Sequence, residues 1–500
     1  MRKIIYNIFM VGVLTFTLAS CDLDQYPSDG LVTDNAWETV ADAQKFQRGM
    51  YRIYKNINGG IFTSSSDYQS DLFNATVGYG NSRGDLYRWD FSAAQYDVVD
   101  LWAYGFSTIR EANNIINNIG KVVTKEENSS NSPEQIKKNL LALENIKADA
   151  YLMRAVVYHA LALRFAKDFD PATASTELGL PLIEEIDVSK KPNRSTLLET
   201  YEFIKKDIAK ARELMTTEGK ANTYYFSVDV IDALEARVNL YMHKFEDAIA
   251  SADKVAKKYS LVDNAEALKK MWLNDTSSEF VFVNFSSVDE RVNSFGSFLS
   301  YSTANKAYAP QFIPTQYVVD LYEDSDLRKE EFLRNDTIES NNVRVGDVFM
   351  LSKYPGNPDL KRTEYDYYHF GKPFRVAESY LIAAEAAYMN KNEAVAKTWL
   401  NKLRKARGAS DIDSSGDALF EDIKKEWVRE FIGEGMRLDQ LKRWGEGFTR
   451  KPAQNLDIVM KGELYNELVI PANHMKFVWE IPNNDLAANK NLIPNWKGVE

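Results

Sequence analysis

Three sets of side chains in this 500-residue chain have the types and spacing to do chemistry: four histidines, a charged block near the C-terminus, and a dense run of rings near the N-terminus. No two of His159, His243, His369 and His474 lie at i, i+4, and none stands in an H-E-x-x-H context, so neither a metal site nor a His-based triad is expected. Gly78-Tyr-Gly80 with Gly84 fits no dinucleotide fingerprint, and no P-loop is present. The charged block carries Glu426, Glu430 and Glu434 at successive i, i+4 steps, interleaved with Arg429, Arg437 and Arg443. That pattern reads either as catalytic carboxylates, the chemistry of a glycosidase, or as paired charges fixing a helix against its neighbours.

The rings point to binding. Residues 79–106 hold Tyr79, Tyr87, Trp89, Phe91, Tyr96, Trp102, Tyr104 and Phe106, well above the chain's 12% aromatic content. A sugar site needs flat apolar faces for pyranose C–H groups, with carboxylate, amide and guanidinium groups for the hydroxyls. The expected stacking faces are Trp89 and Tyr79, and the expected polar contacts are Asp71, Asn81 and Arg83. Trp102 and Phe106 fall on a helix face and read as core. A second candidate is the serine- and aromatic-rich segment 293–308, where Tyr301 and Tyr308 are the favoured contacts and Trp272, further upstream, a weaker one. Tyr365, Tyr367 and Tyr368 form a third cluster that reads mainly as packing.

Helices must position these groups. Periodic apolar residues predict a helix capped at Thr33 or Asp34 and running through Trp37, Phe46 and Met50, another over 101–119, and a third from Pro133 to about Lys167. Residues 56–100 read as a long structured loop, and 121–133 as a polar one. Tyr241-Met-His-Lys-Phe-Glu246 and Tyr388-Met-Asn-Lys-Asn-Glu393 share a Y-M-x-K-x-E pattern, each between two helical segments (230–241 with 246–259, and 374–388 with 393–407). Two helices joined by a tight turn, with small residues at the crossing, form the tetratricopeptide pattern. Ala236, Ala248 and Ala252 fit the first crossing, and Ala383, Ala387 and Ala394 the second. Helices over 147–167 and 196–215 suggest a third pair. Strand signals are few: 279–285, with 342–351 and 468–470 weaker.

Composition narrows the class. With 61 basic and 72 acidic residues, the net charge of −11 argues against a general nucleic-acid binder. A hydrophobic content of 45% and a charged content of 27% are those of a globular protein. Arg2 and Lys3 precede an apolar run from Ile4 to Ala19, too short to span a bilayer and built like a signal peptide. It ends Leu18-Ala19-Ser20-Cys21, which resembles a bacterial lipobox and predicts lipidation at Cys21, the one cysteine in the chain. Ordinary cleavage beside a free cysteine is the plainer alternative. Asp22 and Asp24 resemble a surface-export signal. The expected organisation is a signal peptide over 1–20, a tether over 21–33, and one mostly α domain over 34–500 with minor β and long inserted loops.

Several blocks, in order, resemble the SusD/RagB family of outer-membrane lipoproteins. Phe374-Arg-Val-Ala-Glu-Ser-Tyr-Leu-Ile-Ala-Ala-Glu-Ala386 is similar to its R-x-A-E-x-Y-L-x-x-A-E-A block. Leu400-Asn-Lys-Leu-Arg-Lys-Ala-Arg-Gly408 and the stretch from Glu426 to Trp444 resemble two further blocks, as do Leu101-Trp-Ala-Tyr104 with Ile109-Arg-Glu-Ala-Asn113 and Met153-Arg-Ala155 with Tyr158 near the front. Trp479-Glu-Ile-Pro482 and Asn491 to Trp496 resemble the family's ending. There are departures: Trp427 follows Glu426 where the family often has Arg, Ala406 and Arg407 stand in reversed order, and the ending is reduced to Ile493-Pro494-Asn495.

The resemblance implies a SusD-like helical fold and a lipoprotein on the outer face of the outer membrane. It implies a SusC-like TonB-dependent transporter as partner, an oligosaccharide as ligand, no cofactor and no catalysis. It also places the charged block in the scaffold and makes the segment before the W-x-x-x-Y helix a usual source of ligand contacts. Peptide or glycopeptide capture is the alternative on the same architecture, and a surface glycosidase the rival from the enzyme class.

Overall fold

The computed structural model describes residues 36–187, 189–292 and 294–496. The signal peptide, the tether, Cys21 and the proposed cap at Thr33 or Asp34 lie outside the described residues. The first described helix, α1 (Val40–Asn58), starts later than expected. Thr39 is its cap: its hydroxyl accepts from Asp42 N and the Asp42 carboxylate accepts from Thr39 N, at 3.2 and 3.1 Å. Trp37 precedes that cap and stacks on Phe46 at 4.2 Å.

The segment 56–100 is more ordered than a loop. It holds α2 (Ile61–Gln69), a strand over Phe73–Ala75 and a helical turn at Gly84–Tyr87. In the serine run that hid α2, two hydroxyls bond back along the chain, Ser64 Oγ to Gly60 O and Ser65 Oγ to Phe62 O, both at 3.2 Å. Helix α3 (Tyr96–Glu127) begins five residues before Leu101 and absorbs part of the stretch read as a polar loop. Helix formers without proline fill 121–127, and polarity there marks a solvated face. Next come α4 (Pro133–Phe165), α5 (Leu197–Leu214), α6 (Val228–Tyr241) and α7 (Phe245–Lys258). After an insertion come α8 (Val376–Met389), α9 (Glu393–Ala406), α10 (Asp417–Phe431) and α11 (Arg437–Arg443).

Each helix of the stack packs on the next: α1 on α3, then α4 to α7 in order, α7 on α8, and α8 on α9. The insertion between α7 and α8 carries most of the strands. Phe280–Asn284 is buried throughout and pairs antiparallel with Gly371–Arg375. Phe374 and Arg375 thus belong to a strand, and α8 starts after them. Val343–Leu351 pairs with Leu333–Ser340, a strand not foreseen, in a four-stranded sheet with Tyr301–Ser302 and Ala307–Tyr308. Val469–Ile470 pairs with Phe448–Thr449.

The helix pairs α6/α7 and α8/α9 share one build: two helices of 14 residues and a three-residue turn. In each turn a residue takes positive φ (His243 at 58°, Lys391 at 60°) and the next amide reaches back five residues, Lys244 N to Asn239 O and Asn392 N to Ala387 O, both at 2.8 Å. The structural match is therefore 243 with 391, one residue off the Y-M-x-K-x-E register. In this match Ala396, the partner of Ala248, is fully buried, whereas Ala394, the expected crossing residue, is exposed.

Candidate ligand-binding surface

The sequence-selected residues do not gather into one site. Trp89 is 4% exposed, its indole N–H donates to Gln69 O at 2.6 Å, and Phe477 and Phe448 stand edge-on at 4.9 and 5.7 Å. Asp71 is buried against Arg437. Burial would raise its pKa, and the guanidinium overrides that, holding the carboxyl below the usual range. Neither residue offers a free face or a free oxygen to a ligand, which corrects the expectation for both. Rings are drawn inward by their apolar area, so an aromatic in a loop-like stretch is as often an anchor as a platform.

Tyr79 and Asn81 do come together, around Arg88. Arg88 Nη1 donates to Tyr79 Oη at 2.9 Å and to Asn81 Oδ1 at 2.6 Å, and Tyr79 Oη lies 3.4 Å from Tyr465 Oη. Tyr79 is 4% exposed, so it is no stacking face either. Arg88 and Tyr465 were not singled out in the sequence.

Arg83 turns instead to the start of α3. Its guanidinium lies 4.4 Å from the centre of the Tyr96 ring, and its Nε is 3.2 Å from Asp97 Oδ1. That pair is poorly aligned, since neither atom has a hydrogen-bond partner among the described residues. Burial dominates both shifts: it pulls the Arg83 pKa down and pushes Asp97 up to about 6, each only partly offset by the other. Asp100 is likewise raised by burial, with Arg83 opposing.

Helical spacing puts Tyr96, Asp100 and Tyr104 in one stripe on α3. The two rings are 44% and 36% exposed, and Phe62 supports Tyr104 edge-on at 6.3 Å. The result is a ring, a carboxylate and a second ring in a row, with an incompletely bonded guanidinium alongside. The signal for this stripe lay in the sequence, but it needed α3 to begin at Tyr96.

Tyr301 and Tyr308 face each other across the short antiparallel pair, ring centres 5.0 Å apart. Tyr365 stacks on Tyr301 at 5.2 Å and the Arg334 guanidinium lies 4.9 Å from the Tyr308 ring, so both are half-buried within a ring cluster of their own. Trp272 is 2% exposed, beneath Lys353 Nζ at 4.4 Å.

The charged block is structural. Glu430 is buried and accepts from Arg375 at 2.6 Å, Arg407 at 2.8 Å and Arg328 at 2.9 Å. Arg404 and Arg429 hold Glu426 at 2.7 and 2.8 Å, and Arg375 and Lys353 hold Glu434. Trp427, one of the departures, donates its indole N–H to Glu385 at 2.8 Å, as Arg443 and Trp444 also do. The block is one helix only as far as Phe431. Gly433 and Gly435, both at φ 77°, break it, and Asp67 accepts from the freed amides of Gly433 and Gly435 at 2.7 and 3.2 Å. Among the described residues no group of three His, Cys, Asp or Glu could hold a metal, and no helix is long and apolar enough to cross a membrane.

A stack of paired helices carrying ring-and-carboxylate surfaces on its loops and helix ends is the class of protein defined so far. Comparison with known proteins makes it specific. A sequence model described as the SusD family matches residues 289–497, and one described as starch-binding associating with outer membrane matches 23–240. The starch-binding protein SusD of Bacteroides thetaiotaomicron is 31% identical over 122 residues, which are 24% of this chain and 20% of the length of that relative. A SusD superfamily protein of Bacteroides thetaiotaomicron superposes with a TM-score of 0.75 at 23% identity, over 92% of this chain and 100% of that one. A putative sugar binding protein of Bacteroides vulgatus does so with a TM-score of 0.73 at 20% identity, over 93% and 100%. The chain belongs to the SusD/RagB family.

Proposed function

We propose that the protein is a non-catalytic lipoprotein of the cell surface that captures an oligosaccharide and passes it to a SusC-like TonB-dependent transporter. The observation that carries the binding reading is the Tyr96–Asp100–Tyr104 stripe beside Arg83. Two exposed rings on one helix face suit two sugar faces, and the carboxylate and guanidinium suit the hydroxyls between them. The starch- and sugar-binding relatives support the same ligand class. A non-catalytic role fits the charged block, whose three acids are each taken up by arginines. Lipidation at Cys21 holds the protein to the outer membrane, and residues 34–500 act as one unit above it.

Isothermal titration of the purified protein against a glycan panel that includes maltooligosaccharides tests the reading, with Tyr104→Ala as the site control. Saturable binding that this variant loses supports it. Binding of basic peptides alone, with strong salt dependence, would favour peptide capture instead. Release of reducing ends by the purified protein would overturn the non-catalytic role.

A further inference from the structure

Away from that surface, a cavity of about 190 Å³ opens between α1, α4, α6, α8 and α11. A void of about 150 Å³ is already enough for a six-membered ring. The charged groups in its wall are all satisfied. Arg237 pairs with Glu378 at 2.7 Å, Lys372 with Asp275 at 2.6 Å, Glu434 with Arg375, Arg443 with Glu385, and Asp439 with Arg164. Three neutral groups in the wall are not. Asn58, His159 and Gln440 all line the cavity, and Nδ2 of the first and Nε2 of the other two have no hydrogen-bond partner among the described residues. His159 and Gln440 are each 2% exposed. Burial, with Arg237, Lys442 and Arg443 nearby, pulls the His159 pKa down to about 3, so the imidazole is uncharged near neutral pH. Buried polar nitrogens without partners are rare in native proteins and call for an occupant.

We propose that this cavity is a second binding site, for a small neutral hydroxylated molecule of monosaccharide size. A charged ligand would meet no free counter-charge there. A polyol meets what the wall lacks: acceptors for the Asn58 and Gln440 amides and a hydrogen-bond partner for His159. Its apolar faces lie against Tyr241 and Trp427, which also line the space. The inference rests on these unmatched groups and stands independently of the surface stripe.

The test is a titration of the purified protein with D-glucose, D-galactose, D-mannose, D-xylose and myo-inositol, each to about 10 mM, a ceiling that includes weak millimolar binding. The readout is the NMR signal of the His159 imidazole. At least one probe is expected to bind saturably, and Gln440→Leu and a cavity-filling Leu163→Trp should each weaken it at least tenfold while Tyr104→Ala leaves it unchanged. Gln440→Leu removes an unmatched polar group and should fold normally, so the outcome does not hinge on the bulkier variant. No shift at His159 with any probe, or binding that survives both cavity variants, overturns the proposal. So does binding that Tyr104→Ala abolishes.

Discussion

Asp71 and Arg437 stand 366 positions apart and meet in a two-pronged ion pair, at 2.9 and 3.0 Å, inside the protein. The pair ties the segment after α2 to α11, and so joins the two parts of the chain that the two family models match separately. It also fixes what Asp71 is for. A carboxylate gripped by both arms of a guanidinium has little capacity left for a sugar hydroxyl.

Asp71→Ala should therefore act on stability. Removing one partner strands a buried arginine, which costs about 3–5 kcal/mol. Urea unfolding should show that loss. A variant of wild-type stability with impaired glycan binding would instead restore Asp71 as a ligand contact.

Gly435→Ala should be worse tolerated than a typical surface change. Its φ is 77°, and an added Cβ would sit 1.6 Å from Thr63 O. Backbone strain and a clash with main chain add together, so a loss on the order of 3 kcal/mol or more is expected. Circular dichroism melts would register it, and Gly445→Ala is the comparison, since it shares the positive φ at 66° but has open space around it.

These two cases mark how much could be read from the chain alone. The helix pairs were legible because local periodicity and small crossing residues write them directly, as Ala236, Ala248 and Ala252 show. The strand over 280–284 was legible from the β-type composition of 279–285, with its Phe and Val residues in a row. What periodicity does not record is which distant group a polar residue meets. Asp71 looked free because Arg437 is far away in sequence, and Trp89 looked exposed because Phe448 and Phe477 arrive from the far end of the chain. The stripe on α3 was missed for a local reason: a helix start placed at Leu101 leaves Tyr96 and Asp100 in a loop and conceals their shared face.

Asp149 should make stability pH-dependent in an unusual direction. It is buried and accepts from Gln47 at 2.5 Å and Tyr51 at 3.0 Å, with no cation paired to it among the described residues, and burial pushes it up to about 7. The folded state thus holds this proton more tightly than the unfolded chain, whose carboxyl titrates near 3.8. Stability from this group is full below about pH 4, declines as pH rises to about 7 and is flat above, a total on the order of 4 kcal/mol. Asp149→Asn keeps an acceptor for both donors and carries no charge. Its melting temperature should exceed that of the wild type at pH 8, with the difference shrinking or reversing at pH 4.

The last prediction contrasts two aromatics that look alike in sequence. Trp89 is enclosed by rings and bonded through its indole nitrogen, whereas Tyr104 is 36% exposed on the α3 stripe. Trp89→Ala should cost about 3–5 kcal/mol of stability through the cavity it leaves. Tyr104→Ala should change stability by no more than about 1 kcal/mol and weaken glycan binding by roughly tenfold or more, in line with the loss of one stacking face. Denaturant unfolding and isothermal titration on the same two proteins separate the effects. If Trp89→Ala folded as well as the wild type and lost binding while Tyr104→Ala kept it, the ligand surface would lie around Trp89, and the enclosure of that ring would have to open in solution. The geometry argues for the opposite pairing, because opening it would require breaking the Trp89–Gln69 hydrogen bond and parting Trp89 from Phe448 and Phe477 for the sake of one sugar face.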